Sequence, residues 1–331
     1  MKEEIYKYLV GIWCPTFNQS KYILDALNGF VMQQTNFPFV VMVVDDASTD
    51  GEQEVIRKFV AEQFDLADTN VAYEKETDYA YITYAQHKTN KNCYIVAMYL
   101  KMNHYSQKKN KYQYFTQWRS NAKYEAICEG DDYWIDSLKL QKQVDILEVN
   151  PKLSSCWTGY ISRQNGLADK DMTIKCLDKK NLTIYTLNEW KNIWFTKTLT
   201  ALIRLEALEE YTNKQETFSY ARDIHQFYYI LKWGNAAYMH SITAVYNVHE
   251  GGICSMVANS DNAVHNYNCF KELYRLEHDE ILRCCYLASI NGRLKYRKKN
   301  QHSVKLMREG LIISINFIER IRIIFNFLFN K

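Results

Sequence analysis

An excess of charge of either sign is missing from these 331 residues, where 41 Lys and Arg stand against 38 Asp and Glu. So even a balance implies no attraction to nucleic acid. The amino terminus, M-K-E-E-I-Y-K-Y, has acidic residues and no long apolar stretch, so no secretory leader is expected. Nine cysteines (Cys14, Cys93, Cys128, Cys156, Cys176, Cys254, Cys269, Cys284, Cys285) are scattered, odd in number and without a CxxC pair. That pattern points to reduced thiols in a cytosolic setting and away from a metal held by cysteine. The phosphate-cradling patterns G-x-G-x-x-G and G-x-x-x-x-G-K-[ST] are absent, which weighs against a dinucleotide dehydrogenase or a P-loop enzyme. Proline, with three residues, is rare, which says more about codon usage than about chemistry. The length suffices for a large core, in one large domain or two moderate ones.

What is present centres on Phe39 to Gly51, F-V-V-M-V-V-D-D-A-S-T-D-G. A continuous, mostly β-branched run bounded by turn formers predicts a strand buried on both faces of a parallel sheet. Asp45 and Asp46 then stand at its carboxyl end, the edge of an open α/β sheet where ligands bind. Asp45 to Asp50 would equally serve to turn the chain and cap the next helix.

In chain order, Tyr8 to Cys14 reads as a first buried strand, ended by Pro15. Ser20 caps a helix carrying Ile23, Leu24, Leu27, Phe30 and Val31 at core spacing. Gly51 opens a second helix with Val55, Ile56, Phe59, Val60 and Phe64 on one face. This alternation begins a doubly wound α/β sheet. Val71 to Glu74 and Cys93 to Leu100 are short strands, Asp78 to Asn92 has no readable period, and Lys108 to Lys111 reads as a solvated turn. Tyr124 to Cys128 is a strand running into Glu129-Gly130-Asp131-Asp132, followed by a helix with Leu138, Leu140, Val144 and Leu147. Asn150-Pro151 stops that helix and marks a seam. Further on, Leu199 to Arg204 reads as a strand, Ile224 to Leu231 as a helix and Ala236 to Val248 as a strand. From Asn262 the pattern is helical.

The tail, Leu311 to Phe329, is apolar but interrupted by Glu319, Arg320 and Arg322, and neither uncharged run approaches the roughly 20 residues that span a bilayer. As one helix it sets Asn316, Glu319, Arg320 and Asn326 in a narrow polar stripe beside a wide apolar face. Arg293, Lys295, Arg297, Lys298, Lys299, Lys305 and Arg308 lie upstream and favour anionic lipid headgroups. Docking on the protein's own core or on a second copy, as a homodimer, is the competing reading.

Two acidic clusters at two strand ends repel one another unless a cation joins them. Oxygen ligands suit Mg2+ or Mn2+, which hold substrate phosphates with one or two protein carboxylates. Asp131 and Asp132, opposite Asp45 and Asp46, therefore suggest a divalent ion bridging to a diphosphate.

Three strings in order, C-P-T-F-N-Q-S-K-Y-I-L-D-A-L, V-V-D-D-A-S-T-D-G and C-E-G-D-D-Y-W-I-D-S-L-K-L-Q-K-Q-V-D, resemble the family 2 glycosyltransferases of the GT-A fold. These are inverting enzymes, frequent in bacterial surface polysaccharide synthesis, that take a sugar from a nucleotide diphosphate donor. The resemblance is close over residues 8 to 150 and looser over 190 to 255. It implies an α/β, Rossmann-like mixed sheet flanked by helices, with a helical C-terminal extension. The glycosyltransferase domain would span 1–255, with a nucleotide-binding half 1–150 and an acceptor half 151–255. Residues 256–331 would be helical, ending in the amphipathic tail.

The resemblance also implies roles. Pro15, Thr16 and Asn18 line the nucleotide pocket, Asp45 contacts the base, usually uracil, and Asp46 and Ser48 shape the same wall. Glu129-Gly130-Asp131 stands where the family has Asp-x-Asp, with glutamate a departure at the first position. Asp131 is the direct ligand of Mn2+ or Mg2+, with Asp132 behind it and His249 approaching the metal or diphosphate. Asp223 is the catalytic base, although an arginine precedes it where the family has glutamate, and a simple helix cap is the alternative. The partners implied are a nucleotide-sugar donor and a saccharide or lipid-linked saccharide acceptor, at a cytoplasmic site peripheral to the inner face of the plasma membrane.

Three rivals remain. A sugar nucleotidyltransferase would carry a glycine-rich basic loop where Pro15-Thr16-Phe17-Asn18 stands. A non-catalytic nucleotide-sugar-binding protein would need the same pocket. A receiver-type phosphoacceptor domain would be far shorter, without the Glu129 to Asp132 cluster.

Overall fold

The computed structural model describes residues 6–164, 167–175, 181–220, 222–250, 252, 259–295 and 301–329. The expected boundary at 255, Cys176, Cys254, Arg297, Lys298 and Lys299 lie outside them. Val10–Thr16 forms strand β1, Ile23–Val31 helix α1, Phe39–Asp45 strand β2 and Glu52–Gln63 helix α2. All seven residues of β2 are buried, as a strand covered on both faces requires. Helix α1 backs onto the sheet through Gly29, where a Cβ would lie 2.9 Å from the backbone nitrogen and oxygen of Trp134.

Next come Tyr73–Glu76 (β3), Ala80–Gln86 (β4), Cys93–Leu100 (β5), a single helical turn at Thr116–Arg119 (α3), Tyr124–Ile127 (β6), Tyr133–Trp134 (β7), Lys139–Val149 (α4) and Leu153–Gln164 (β8). Lys170–Asp171 (β9), Leu182–Tyr185 (β10), Leu187–Trp190 (α5), Leu202–Arg204 (β11), Glu209–Lys214 (α6), Asp223–Trp233 (α7) and Asn235–Val248 (β12) follow. Asn259–Glu277 (α8), Glu280–Lys295 (α9), Gln301–Ile313 (α10) and Phe317–Phe329 (α11) complete the described elements.

The chain divides into two compact units. The first, Met1–Tyr185 with Phe195–Glu209 and Trp233–His249, holds a twelve-stranded mixed sheet in the order β10-β12-β8-β11-β6-β1-β2-β5-β4-β3, with β7 on β12 and β9 on β8. Strands β6, β1, β2 and β5 are parallel neighbours, so their carboxyl ends line one edge. Strand β11 runs antiparallel to both β6 and β8, so the residues before and after Asn150-Pro151 share one sheet and no seam falls there.

Three local readings are corrected. Pro15 lies inside β1, opposite Val44, and does not end it. Its carbonyl faces the β6 side, where it accepts the Gly130 N–H at 3.2 Å, so the missing N–H interrupts the β6 ladder and leaves the β2 ladder whole. The unread stretch contains β4, which is antiparallel to both β3 and β5. Lys111, expected in a solvated turn, donates to the buried carboxylate of Asp46 at 2.8 Å.

Buried Lys139 and Gln143 stitch α4 to the sheet. Lys139 Nζ donates to Gln143 Oε1 at 2.8 Å, and Gln143 Nε2 donates to the carbonyls of Cys156 and Thr200 at 2.8 and 2.9 Å.

The second unit comprises Thr186–Trp194, Glu210–Lys232 and Glu250–Lys331. Glu277 on α8 accepts from Lys214 of α6 and from Tyr229, both at 2.6 Å, and from Lys232 at 2.8 Å. Burial opposes its ionisation, but the two lysines and the tyrosine hydroxyl hold its pKa down at about 2. The tail is two helices, α10 and α11, not one. No helix among the described residues is long and apolar enough to cross a membrane.

Candidate functional site

The site is built at the carboxyl ends of β1, β2 and β6, from the loops that follow them. Buried Glu52, at the first position of α2, gathers two of these loops. It accepts from the Thr16 hydroxyl, from the Gln19 N–H at 2.9 Å and from the Ser48 hydroxyl at 2.8 Å. Asn18 and Ala47 both hold the left-handed backbone conformation, at φ 53° and 62°. Asn tolerates that region, while an alanine there stores about 1 kcal/mol of strain. In return, the Asn18 N–H meets Ser48 Oγ at 2.9 Å and the Thr49 N–H meets Asn18 Oδ1 at 2.8 Å.

Asp45 and Asp46 diverge. Asp45 is fully buried on the α2 side, where its Oδ1 accepts the Ser48 N–H at 3.1 Å and Gln53 Nε2 at 2.5 Å. Its Oδ2 has no hydrogen-bond partner, and burial pushes its pKa up. Asp46, also buried, accepts the backbone N–H groups of His104 and Tyr105 at 2.7 and 3.0 Å, together with Lys111. It thereby anchors the loop after β5.

The third loop carries the acidic cluster. Gly130 packs against the β1 loop so closely that a Cβ would lie 2.7 Å from both Gln19 Oε1 and Thr16 Cβ. Asp131 Oδ2 lies 3.0 Å from His249 Nε2 at the end of β12, and both side chains are partly exposed. The His249 ring rests beside that of Tyr22, with centroids 4.5 Å apart. Asp132 is buried and accepts the Asn247 N–H at 2.9 Å, while Asn247 Nδ2 donates to the Asp131 carbonyl at 2.6 Å. Glu129 Oε2 accepts from the Thr198 hydroxyl at 3.0 Å.

Electrostatics tie the loops into one edge. Burial raises the pKa of Glu129 and Asp132, and Asp131 pushes both further up, with Lys197 opposing. Burial likewise raises Glu52, with Asp45 adding. The buried Cys14 thiol beneath them is pushed well up by burial, then by Glu52, Glu129 and Asp131 together. Buried acids that raise one another in this way favour a further cation beside Lys197.

Asp131 and His249 offer an oxygen and a nitrogen on adjacent atoms, and a divalent ion fits this pair if a diphosphate and water supply the rest. No group of three or more metal-ligating side chains occurs among the described residues. Asp132 points its Oδ1 at the β12 backbone, which ties β12 to the Asp131 loop.

Asp223 lies in the second unit, exposed in the first turn of α7. The segment before it is fixed by Glu272 of α8, which accepts the Ser219 and Tyr220 N–H groups at 2.7 and 3.1 Å and lies 3.1 Å from the buried His225. Sequence reasoning did not single out Glu52, Gln53, Lys197, Thr198 or Asn247. Glu52 had a signal, an acid one turn after Ser48 at a helix start. The others had none.

Residues 12–77 match the family described as glycosyl transferase family 2. An uncharacterised protein of Mycobacterium tuberculosis is 32% identical over 147 residues, covering 43% of this chain and 32% of that protein, and a counterpart in Mycobacterium bovis matches equally. The chain thus spans about a third of the length of these relatives. The crystal structure of S. aureus TarS superposes with a TM-score of 0.54 at 14% identity, over 96% of this chain and 47% of that one. The mannosyltransferase PcManGT from Pyrobaculum calidifontis, solved with GDP-Man and Mn2+, superposes at 0.50 with 15% identity, over 98% of this chain and 88% of that one. The fold is of the GT-A type, as the mixed sheet and its flanking helices are in these neighbours.

Proposed function

We propose that this chain, a GT-A glycosyltransferase carrying a family 2 segment, moves a sugar with inversion from a nucleotide diphosphate donor to a saccharide or lipid-linked saccharide acceptor. The resemblance favours a uridine donor, surface polysaccharide or lipopolysaccharide synthesis as the setting, and the cytoplasmic face of the plasma membrane as the place. The observation that carries the reading is the pairing of Asp131 with His249 beside the buried carboxyls of Glu129 and Asp132, whose pKa values burial raises and Asp131 raises further. The manganese and sugar nucleotide bound by the Pyrobaculum enzyme support the same chemistry.

In this reading Asp131 and His249 hold Mn2+ or Mg2+, whose chemistry when bound is to offset charge on the departing diphosphate. Thr16, Asn18, Asp45 and Ser48 form the nucleoside wall, and the unpartnered Oδ2 of Asp45 accepts the base N–H. Asp223 takes the acceptor's hydroxyl proton as that oxygen bonds to the anomeric carbon. The bond from that carbon to the diphosphate breaks, and its electron pair leaves with the nucleoside diphosphate.

The test is a pair of variants assayed with UDP-sugars and Mn2+. Asp131→Ala loses transfer and metal-dependent donor binding together, and normal turnover would remove the metal assignment. Asp223→Asn keeps donor affinity and loses about 10²- to 10⁴-fold in turnover, the usual worth of a general base. Near-normal turnover sends the search for the base elsewhere. A protein that only bound the sugar nucleotide would not hydrolyse it slowly in manganese.

A further inference from the structure

The sequence pattern of α11 suggests a helix with a polar stripe and an apolar face, and soluble proteins usually turn the apolar side inward. Here the orientation is reversed. The stripe is the docked side. Glu319 pairs with the buried Arg283 of α9, with contacts of 3.0 Å to both guanidinium nitrogens, and Asn326 Nδ2 donates to Asn291 Oδ1 of α9 at 2.6 Å. Between them only Ile323 is an apolar residue turned fully inward, packed over Gly310 of α10. The opposite side presents Phe317, Ile318, Ile321, Ile324, Phe325, Leu328 and Phe329 to solvent, with Phe317 and Ile318 exposed by 76% and 72%. Ile312 and Ile315 extend the patch into the preceding turn.

The charges are sorted as strictly as the apolar groups. Helices α10 and α11 contain two acids, Glu309 and Glu319, and both are engaged inward, Glu309 by Lys271, Tyr267 and Tyr286. Their four lysines and arginines, Lys305, Arg308, Arg320 and Arg322, are all exposed. At about 100° per residue, Arg320 and Arg322 fall on the two opposite borders of the apolar face of α11. Long basic side chains at those borders reach headgroup level while the helix axis lies in the interface.

We infer that α11 is an in-plane membrane-docking helix that seats its apolar face in an anionic lipid surface. A second copy of the chain is the poorer occupant. A two-fold contact would set this face against itself, bringing like charges together with no exposed acid on α10 or α11 to receive them. The inference is independent of the transfer reaction, because none of these residues belongs to the carboxylate site.

The experiment is flotation of the full chain with vesicles of phosphatidylcholine alone, or with roughly a third phosphatidylglycerol, enough to give a negative surface potential. The chain is expected to float with the anionic vesicles and at least tenfold less with the neutral ones. Ile318→Asp with Phe325→Asp should cut anionic binding by at least tenfold, and Arg320→Glu with Arg322→Glu should abolish the preference for anionic lipid. Both pairs should keep the thermal midpoint and donor hydrolysis of the parent chain, so failure here is separable from failure of the transferase reading. No flotation with anionic vesicles overturns the inference. So does a vesicle-free dimer that the aspartate pair converts to monomer, which assigns the face to a second copy.

Discussion

His249 Nε2 lies 3.0 Å from Asp131 Oδ2, a contact spanning 118 residues of chain. The aspartate comes from the loop after β6 and the histidine from the end of β12, so the pair forms only on the finished sheet. If both hold the ion, His249→Ala should weaken manganese-dependent donor binding by about 10- to 100-fold, the usual cost of stripping a group that supports a metal. Titration calorimetry with and without Mn2+ measures this. Equal affinities for parent and variant take His249 out of the metal set.

Gly130 is where the acidic loop touches the β1 loop. An alanine there would place its methyl 2.7 Å from Gln19 Oε1 and Thr16 Cβ, and Thr16 is tied to Glu52. One side must move. Gly130→Ala should cost about 1–3 kcal/mol, as overpacking does, and should weaken donor binding through the shifted loop. Urea unfolding reads the first effect and calorimetry the second. A variant with parental stability would mean the contact relaxes without strain.

Asp45 makes a prediction about pH. Burial raises its pKa above the ordinary 3.8. A carboxyl raised in the fold contributes stability that is complete below the ordinary value and is lost as pH rises through the folded one. Without donor, the protein should therefore lose stability as pH climbs from the carboxylate range toward neutrality, and Glu52, raised in the same sense, adds to the trend. Asp45→Asn should flatten the plot of Tm against pH over that interval, while reducing donor affinity at least tenfold, about the worth of a hydrogen bond to a charged group. An unaltered slope would mean that Asp45 is ionised in the folded protein.

Lys139 works in the other direction. It is fully buried, 4.2 Å above the Trp134 ring, and burial lowers its pKa from 10.5 to about 7. The unfolded chain thus binds more protons between these values, and stability rises with pH across them. Above 9.0, the ordinary thiol value, buried cysteines such as Cys93, whose pKa burial raises, pull the opposite way. The clean window is pH 7 to 9. Lys139→Met, similar in length and uncharged, should flatten the rise there, as thermal scans through the window would show. A persistent rise would assign it to another group.

Much of the sheet was legible because its central strands leave little choice. The run from Phe39 to Val44 is too apolar and too branched to sit anywhere but between two covered faces, and the acids after it mark a strand end. Strand β4 was not legible, because A-Y-I-T-Y-A-Q neither alternates cleanly nor runs apolar, and its place depends on β3 and β5 on either side. The acidic positions after β2 and β6 were visible as clusters, but their division of labour was not. Asp46 anchors a loop instead of facing the same wall as Asp45, because Lys111 and the His104 and Tyr105 amides reach it across the sheet edge. For α11, periodicity separates polar from apolar residues but does not say which side docks. Partners on α9, Arg283 and Asn291, decide that.

The parallel pairing of β8 with β12 has a consequence for how the protein is made. Strand β8 ends at Gln164, and the partner that runs along its length begins at Asn235. On the ribosome, β8 must wait for all the intervening chain to emerge, with a long edge open to other nascent chains. Messages interrupted by a stop codon anywhere before Asn235 should therefore yield insoluble product instead of a smaller soluble protein. Slowing translation just ahead of that codon should lower the yield of full-length protein in the same way.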